Sequence, residues 1–284
     1  MQYTCGVARS LADKVIAITG ASTGIGAATA VACAQAGMRV ALGARRQDPL
    51  REVADQVEQA GGKALVVPCD VDRDEDVQRL VEQTTSQFGR LDAIFANAGY
   101  GLCAKVADTS DEQMRAIFET NYYGMMRVIH AAVPLMRAQG DGHILICSSA
   151  VSELGLPMHG AYCATKAAQD AIASAMRAEL AHEGINVSSV HPVGTRTDLY
   201  ETARTRSGQP HNEPNTPSKL IQSSEQVARQ IVKCLRRPKA EVWPHWPSRI
   251  GLAIVTAFPV LGANAMRSLM RKRYGYHIRA NATP

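Results

Sequence analysis

Residues 15–26 limit the fold of this chain more than any other stretch. Val15-Ile16-Ala17-Ile18-Thr19 is an unbroken β-rich run that enters Gly20-Ala21-Ser22-Thr23-Gly24-Ile25-Gly26, and an alanine-rich segment continues to Gly37. A short apolar run bounded by glycine reads as a buried strand, and Gly37 as a helix stop. Strand, glycine turn and helix in that order suit a dinucleotide. Glycines let the main chain approach a pyrophosphate, and the unpaired N–H groups of the helix start point at it. The turn from Gly20 to Gly26, with Ser22, Thr23 and Ile25 inside it, is the expected cofactor cradle.

The same rhythm repeats along the chain. Strands are expected at Arg39–Gly43, Ala64–Pro68, Leu91–Phe95, His143–Cys147, Ile185–Val190 and Ala240–Trp243, with helical patterns between them. One long helical stretch runs from Asp111 to about Met136 and holds Asn121 in its middle. Ser223 with Gln226 is a candidate cap for a helix reaching Arg236. Alternating β and α predicts an α/β fold: a Rossmann-type, doubly wound parallel sheet of about seven strands with helices on both faces. Residues 198–224 turn polar and proline-bearing, with Pro210, Pro214 and Pro217, and read as a mobile insertion. No internal repeat or boundary is visible. One domain over 1–284 is expected, with a motif-bearing core at 13–200 and a C-terminal extension at 248–284.

Chemistry concentrates at strand ends. Ser148-Ser149 closes the fifth strand, and Tyr162 and Lys166, four apart, share one face of the next helix. An ammonium near a phenol favours the phenolate, which suits a tyrosine to acid–base work nearer neutrality. Lowering its pKa by ~3 units needs about 4 kcal/mol of differential stabilisation. After the second strand stand Ala44, Arg45 and Arg46, where a cofactor with a free 2′-hydroxyl favours an acid. Two guanidinium groups suit a 2′-phosphate, so NADP(H) is preferred over NAD(H).

Composition excludes several other classes. The net charge of +5 comes largely from late arginines rather than a stripe, so no nucleic-acid partner is expected. Seven cysteines form no Cys-x-x-Cys pair and eight histidines show no ligand spacing. Reduced core thiols of a cytoplasmic protein are expected, with no metal. Residues 1–12 lack the apolar core of a signal peptide. Between Arg249 and Arg267 no residue is charged, and Pro259, Asn264 and two glycines interrupt an otherwise apolar run. A packed or interface helix is the preferred reading of 249–273, with shallow membrane contact as the alternative.

Thr19-Gly20-x-x-x-Gly24-x-Gly26, Asp70-Val71, Asn97-Ala98-Gly99, Asn121, Ser149, Tyr162-x-x-x-Lys166 and Pro192 with Thr197 together resemble the short-chain dehydrogenase/reductase family, in its single-domain branch. The likeness covers residues 13–200 in order. It implies that Tyr162 is the general acid/base and that Lys166 lowers the tyrosine pKa and bonds the nicotinamide ribose. It implies that Ser149, thirteen residues before Tyr162, holds the substrate oxygen in preference to Ser148, and that Asn121 positions a relay water to Lys166. Asp70 and Val71 would contact the adenine, Asn97, Ala98 and Gly99 would lie beside the cofactor, and Pro192, Thr195 and Thr197 would meet the carboxamide and diphosphate. Arg45 matches the arginine that accompanies NADP preference in the family. Two departures stand out. Val193 and then Gly194 replace the usual glycine after Pro192, and valine resists positive φ, so the backbone near Thr195 is expected to differ. Ala96 replaces a frequent asparagine, with little consequence expected.

The implied reaction is hydride transfer between the cofactor and a carbonyl or carbinol carbon of a small molecule, with Tyr162 moving the proton and Ser149 and Tyr162 holding the substrate. Substrate walls are expected from Tyr100-Gly101-Leu102, from residues 151–159 and from the 198–224 segment. Leu154, Leu156, Pro157 and Met158 suggest a lipophilic ketone or secondary alcohol, with Glu153 and His159 as polar exceptions. Two other readings share these residues. A non-catalytic NADP-binding regulator would keep the glycine turn and Arg45 without needing the four catalytic positions, all of which are present. A peripheral-membrane enzyme would act on a lipid-like substrate. The resemblance also implies a homodimer or homotetramer, paired through the helices that carry Asn121 and Tyr162.

Overall fold

A computed structural model describes residues 8–195 and 221–274. Seven parallel strands form one sheet in the order β3-β2-β1-β4-β5-β6-β7. They are β1 Val15–Thr19, β2 Arg39–Ala44, β3 Lys63–Pro68, β4 Ala93–Ala96, β5 Gly142–Cys147, β6 Ile185–Val190 and β7 Glu241–Val242. The helices are α1 Gly24–Gln35, α2 Gln47–Gln59, α3 Asp74–Phe88, α4 Asp111–Phe118, α5 Gly124–Gln139, α6 Gly160–Glu179, α7 Ser224–Arg236, α8 Trp246–Ala257 and α9 Pro259–Tyr274.

Side chains alternate along each strand, and both faces are covered. Ile16, Ile18, Val40, Leu42, Phe95 and Leu145 point into one core layer beneath α1, α2 and α7. Ala17, Ala41, Ile94, Ile144 and Ile146, their neighbours in sequence, point into the other beneath α3, α5 and α6. That is the period-two consequence of the pleat, with both faces apolar because helices lie on each. Helical spacing supplies the facing side: Leu50, Val53 and Val57 on α2, and Val77, Leu80 and Val81 on α3, are all buried. On α7 the expected capping box is formed, with Ser223 Oγ accepting from the Gln226 N–H at 3.2 Å. β1 lies between β2 and β4, so the chain winds away from it in both directions. A crevice therefore opens at the strand carboxyl ends.

The structure differs from the sequence expectations in three places. β4 begins at Ala93 rather than Leu91, because Asp92 is spent as an anchor: its Oδ2 accepts from the Val15 N–H at 2.9 Å and its Oδ1 from Lys14 at 2.8 Å. The long helix is not continuous: a five-residue π turn, Glu119–Tyr123, separates α4 from α5. α8 and α9 break at Phe258-Pro259, as a proline demands. Among the described residues no single helix is long and apolar enough to cross a membrane. The six described cysteines are all buried free thiols. The 198–224 insertion lies almost wholly outside the described residues, and so does Thr197.

Candidate active site

The crevice is a cleft of about 540 Å³ that runs from the glycine turn to Tyr162. Its floor at one end is the β1–α1 turn. Gly20 and Gly24 take φ +64 and +59, and a Cβ on Gly26 would stand 2.4 Å from the Gly20 oxygen. Any larger residue at Gly26 would push the turn apart. Asn97 holds the turn from the next loop, donating from Nδ2 to the carbonyls of Thr19 (3.0 Å) and Gly20 (3.1 Å). Thr19 Oγ1 answers by accepting from the N–H groups of Asn97 and Ala98. Ser22, Thr23, Ile25, Ala98 and Gly99 line the cleft; Gly26 is the spacer beneath it.

At the β2 end Arg45 and Arg46 border the cleft, with Asp70 and Val71 opposite. Arg45 lies 4.0 Å from Asp70 and is mostly exposed, while Arg46 donates to Thr23 Oγ1 at 3.4 Å. No carboxylate stands at residues 44–46 to receive a ribose hydroxyl.

The other end carries the side chains suited to proton chemistry. Ser148 and Ser149 follow β5 but point to different tasks. Ser148 is buried and donates to the Lys166 carbonyl at 3.3 Å. Ser149 caps the short turn Ala150–Glu153, and its Oγ accepts from the Val151 N–H at 3.4 Å on the cleft wall. Tyr162 is half-buried in the first turns of α6 and also lines the cleft. Lys166 is buried, its Nζ 5.5 Å from the Tyr162 ring centroid. It donates to the Cys147 carbonyl at 2.6 Å and to Gln169 Oε1 at 3.0 Å. Burial pushes the lysine pKa down, and Cys147 and Asp170 oppose that shift.

Asn121 sits in the π turn and is fully buried. Its Oδ1 accepts from the Tyr100 N–H at 2.9 Å, and its Nδ2 donates to the Tyr100 carbonyl and to Thr165 Oγ1. Its main-chain carbonyl accepts from Gln169 Nε2. The Gln169 side chain thus bridges the Asn121 carbonyl and Lys166 Nζ directly.

Beyond β6 the positive φ falls on Gly194, at +46, one residue later than the family pattern, and Val193 is spared it. Gln222 holds this displaced turn: its Oε1 accepts from the Val193 N–H at 2.9 Å and its N–H donates to the Gly194 carbonyl at 3.1 Å. Thr195 still reaches the cleft with Pro192. Its Oγ1 is buried with no partner among the described residues. That orphaned hydroxyl and the cradle at Gly20 and Gly26 both fit a dinucleotide whose far end presents an amide.

The expected substrate walls are met in part. Tyr100, Gly101, Val151, Leu156 and His159 line the cleft. Leu102 packs instead with Ile117 and Ala161, and Glu153 accepts from Arg249 on α8 at 3.0 Å. Sequence reasoning passed over two residues, Gln169 and Gln222. Gln169 carried a signal: a polar side chain one turn past Lys166 on a helix face that is otherwise committed to the core.

A family model described as short chain dehydrogenase matches residues 14–208. Glycine betaine reductase ATRR of Emericella nidulans is 34% identical over 230 residues, which make up 81% of this chain but only 18% of that protein's length. An uncharacterized oxidoreductase of Listeria innocua is 34% identical over 195 residues, covering 68% of this chain and 79% of its own. The crystal structure of a short-chain type dehydrogenase/reductase from Mycobacterium marinum superposes with a TM-score of 0.74 at 32% identity, over 82% of this chain and 94% of that one.

Proposed function

The chain belongs to the short-chain dehydrogenase/reductase family, and on that premise we propose that it is an NADP(H)-dependent oxidoreductase interconverting a ketone or aldehyde and an alcohol. The observation that carries this reading is the meeting of Ser149, Tyr162 and Lys166 at one end of a cleft whose other end is the glycine turn. The nicotinamide cofactor, when bound, supplies or accepts the hydride. In the reducing direction Ser149 Oγ donates a hydrogen bond to the substrate carbonyl oxygen and Tyr162 Oη gives that oxygen its proton. Lys166, fixed by Cys147 and Gln169, holds positive charge beside the phenol, which favours the phenolate left behind. In the oxidising direction the same phenolate takes the proton from the alcohol. The preference for a 2′-phosphate is supported by Arg45 and Arg46 beside Thr23, with no carboxylate at residues 44–46; the Asp70 carboxylate stands opposite, 4.0 Å from Arg45. Val151, Leu156 and Tyr100 on the cleft wall favour a lipophilic substrate. The test is NADPH consumption with a panel of ketones and aldehydes. Tyr162→Phe is expected to abolish it, and undiminished turnover in that variant would sink the mechanism.

A second reading concerns where the enzyme works. Trp246, Ile250, Ile254 and Phe258 recur every fourth residue along α8 and are each at least half exposed. No acidic residue follows Glu241 in the sequence, while Arg267, Arg271, Lys272 and Arg273 do. An apolar stripe followed by a basic segment fits the surface of an anionic bilayer, and like charge disfavours a second copy of the same face. α8 also packs on the 150–153 turn and ties to it through Arg249 and Glu153. A lipid-like substrate would then enter the cleft beside the membrane surface.

A further inference from the structure

Gln169 is 1% exposed, in a helix position whose neighbours belong to the core. Its amide cannot be turned round. Lys166 offers only donors, so Oε1 must face Nζ; the Asn121 carbonyl offers only an acceptor, so Nε2 must face it. The carbonyl it meets belongs to the π turn, where the ladder lengthens and Gly124 N–H reaches Glu119 O. One side chain therefore spans the gap between two parts of the site and uses both ends of its amide.

Building on the proposed oxidoreductase reading, we propose that Gln169 is a positioning residue that holds the Lys166 ammonium in place by tying it to the main-chain carbonyl of Asn121. The charged and titratable groups facing Lys166 are Cys147 from β5, and Tyr162 and Asp170 from α6. Asp170 lies 3.7 Å from His191 Nδ1. The π turn contributes only uncharged Asn121, because its Glu119 is held by Arg127. Gln169 Oε1 and the Cys147 carbonyl are neutral acceptors that favour the ammonium over the free amine, against the burial that disfavours it.

The test compares Gln169→Leu and Gln169→Glu with the parent in full-length protein. The Lys166 Nζ titration is followed by NMR of 15N-lysine-labelled protein without cofactor, and the pH profile of kcat/KM is recorded with NADPH. Losing the acceptor in Gln169→Leu is expected to lower the lysine midpoint by about one pH unit, and the alkaline limb of the profile with it. Gln169→Glu is expected to move both upward by at least as much. A merely structural role would lower amplitude at every pH and move neither midpoint. Unchanged midpoints in both folded variants, or shifts of the same sign, overturn the proposal. If the NMR midpoints move apart while no carbonyl substrate is turned over by the parent, the oxidoreductase reading fails and the role of Gln169 stands.

Discussion

Ser148 Oγ donates to the main-chain carbonyl of Lys166, so the first serine after β5 fastens the helix that carries Tyr162 and Lys166. Ser149, one residue on, turns to the cleft. The two should separate by measurement. Ser148→Ala is expected to cost about 1 kcal/mol of stability, read from denaturant midpoints, with a minor effect on turnover. Ser149→Ala should leave the midpoint in place and reduce kcat/KM by roughly 10²-fold or more, as expected for a lost oxyanion-type donor.

The proposed preference for a 2′-phosphate rests on the β2 end. Arg45→Asp is expected to reverse the preference, weakening NADP binding by at least about tenfold relative to NAD, since a guanidinium–phosphate bond is exchanged for repulsion. Titration of both cofactors by fluorescence decides it; an unchanged ratio of affinities removes the 2′-phosphate assignment.

His143 makes stability depend on pH. It is buried in β5, and Ser188 Oγ, whose own proton goes to the Lys239 carbonyl, accepts from Nε2 at 2.8 Å. Nδ1 has no partner among the described residues. Burial pushes its pKa from 6.5 to about 3. The folded state thus refuses a proton that the unfolded chain binds below pH 6.5, so stability is complete above that value and is lost as pH falls toward about 3. Between pH 7 and 5 the loss should be about 2 kcal/mol. Urea midpoints at the two pH values should show it, and His143→Gln should remove most of the difference.

The α8 stripe makes a prediction about membranes. Full-length protein is expected to sediment with vesicles containing phosphatidylserine and much less with pure phosphatidylcholine. Ile254→Glu, at an exposed position, should weaken that binding about tenfold without altering the fold. Equal recovery of the variant with the vesicles would rule the surface out.

The fold was legible because its signals are local. Apolar runs such as Val15–Thr19, with Gly20 after it, and the Ile144-Leu145-Ile146 stretch of β5, with Gly142 before it, read as strands buried on both sides. Ser149, Tyr162 and Lys166 were legible for a different reason: chemistry ties residue type to spacing. What stayed hidden depends on distant partners. The π turn at Asn121 follows from packing between α4, α5 and α6, and no residue in Glu119–Tyr123 announces it. Gln222 matters only because the end of the insertion returns beside Val193, and the sequence shows no trace of that meeting. Gly194 stands out in the sequence, but its positive φ is held by that same clamp.

The stitch between Asn97 and the Thr19-Gly20 carbonyls has a consequence for the order of assembly. The residues it joins lie 78 and 77 positions apart, so the glycine turn, for all its local sequence signature, is completed by a long-range contact. The Asn97 brace on the turn therefore forms only once β4 has docked on β1. A fragment ending at Gly89 would hold every glycine of the turn, yet lack the amide that sets its curvature. In this protein the binding loop is made by its neighbour.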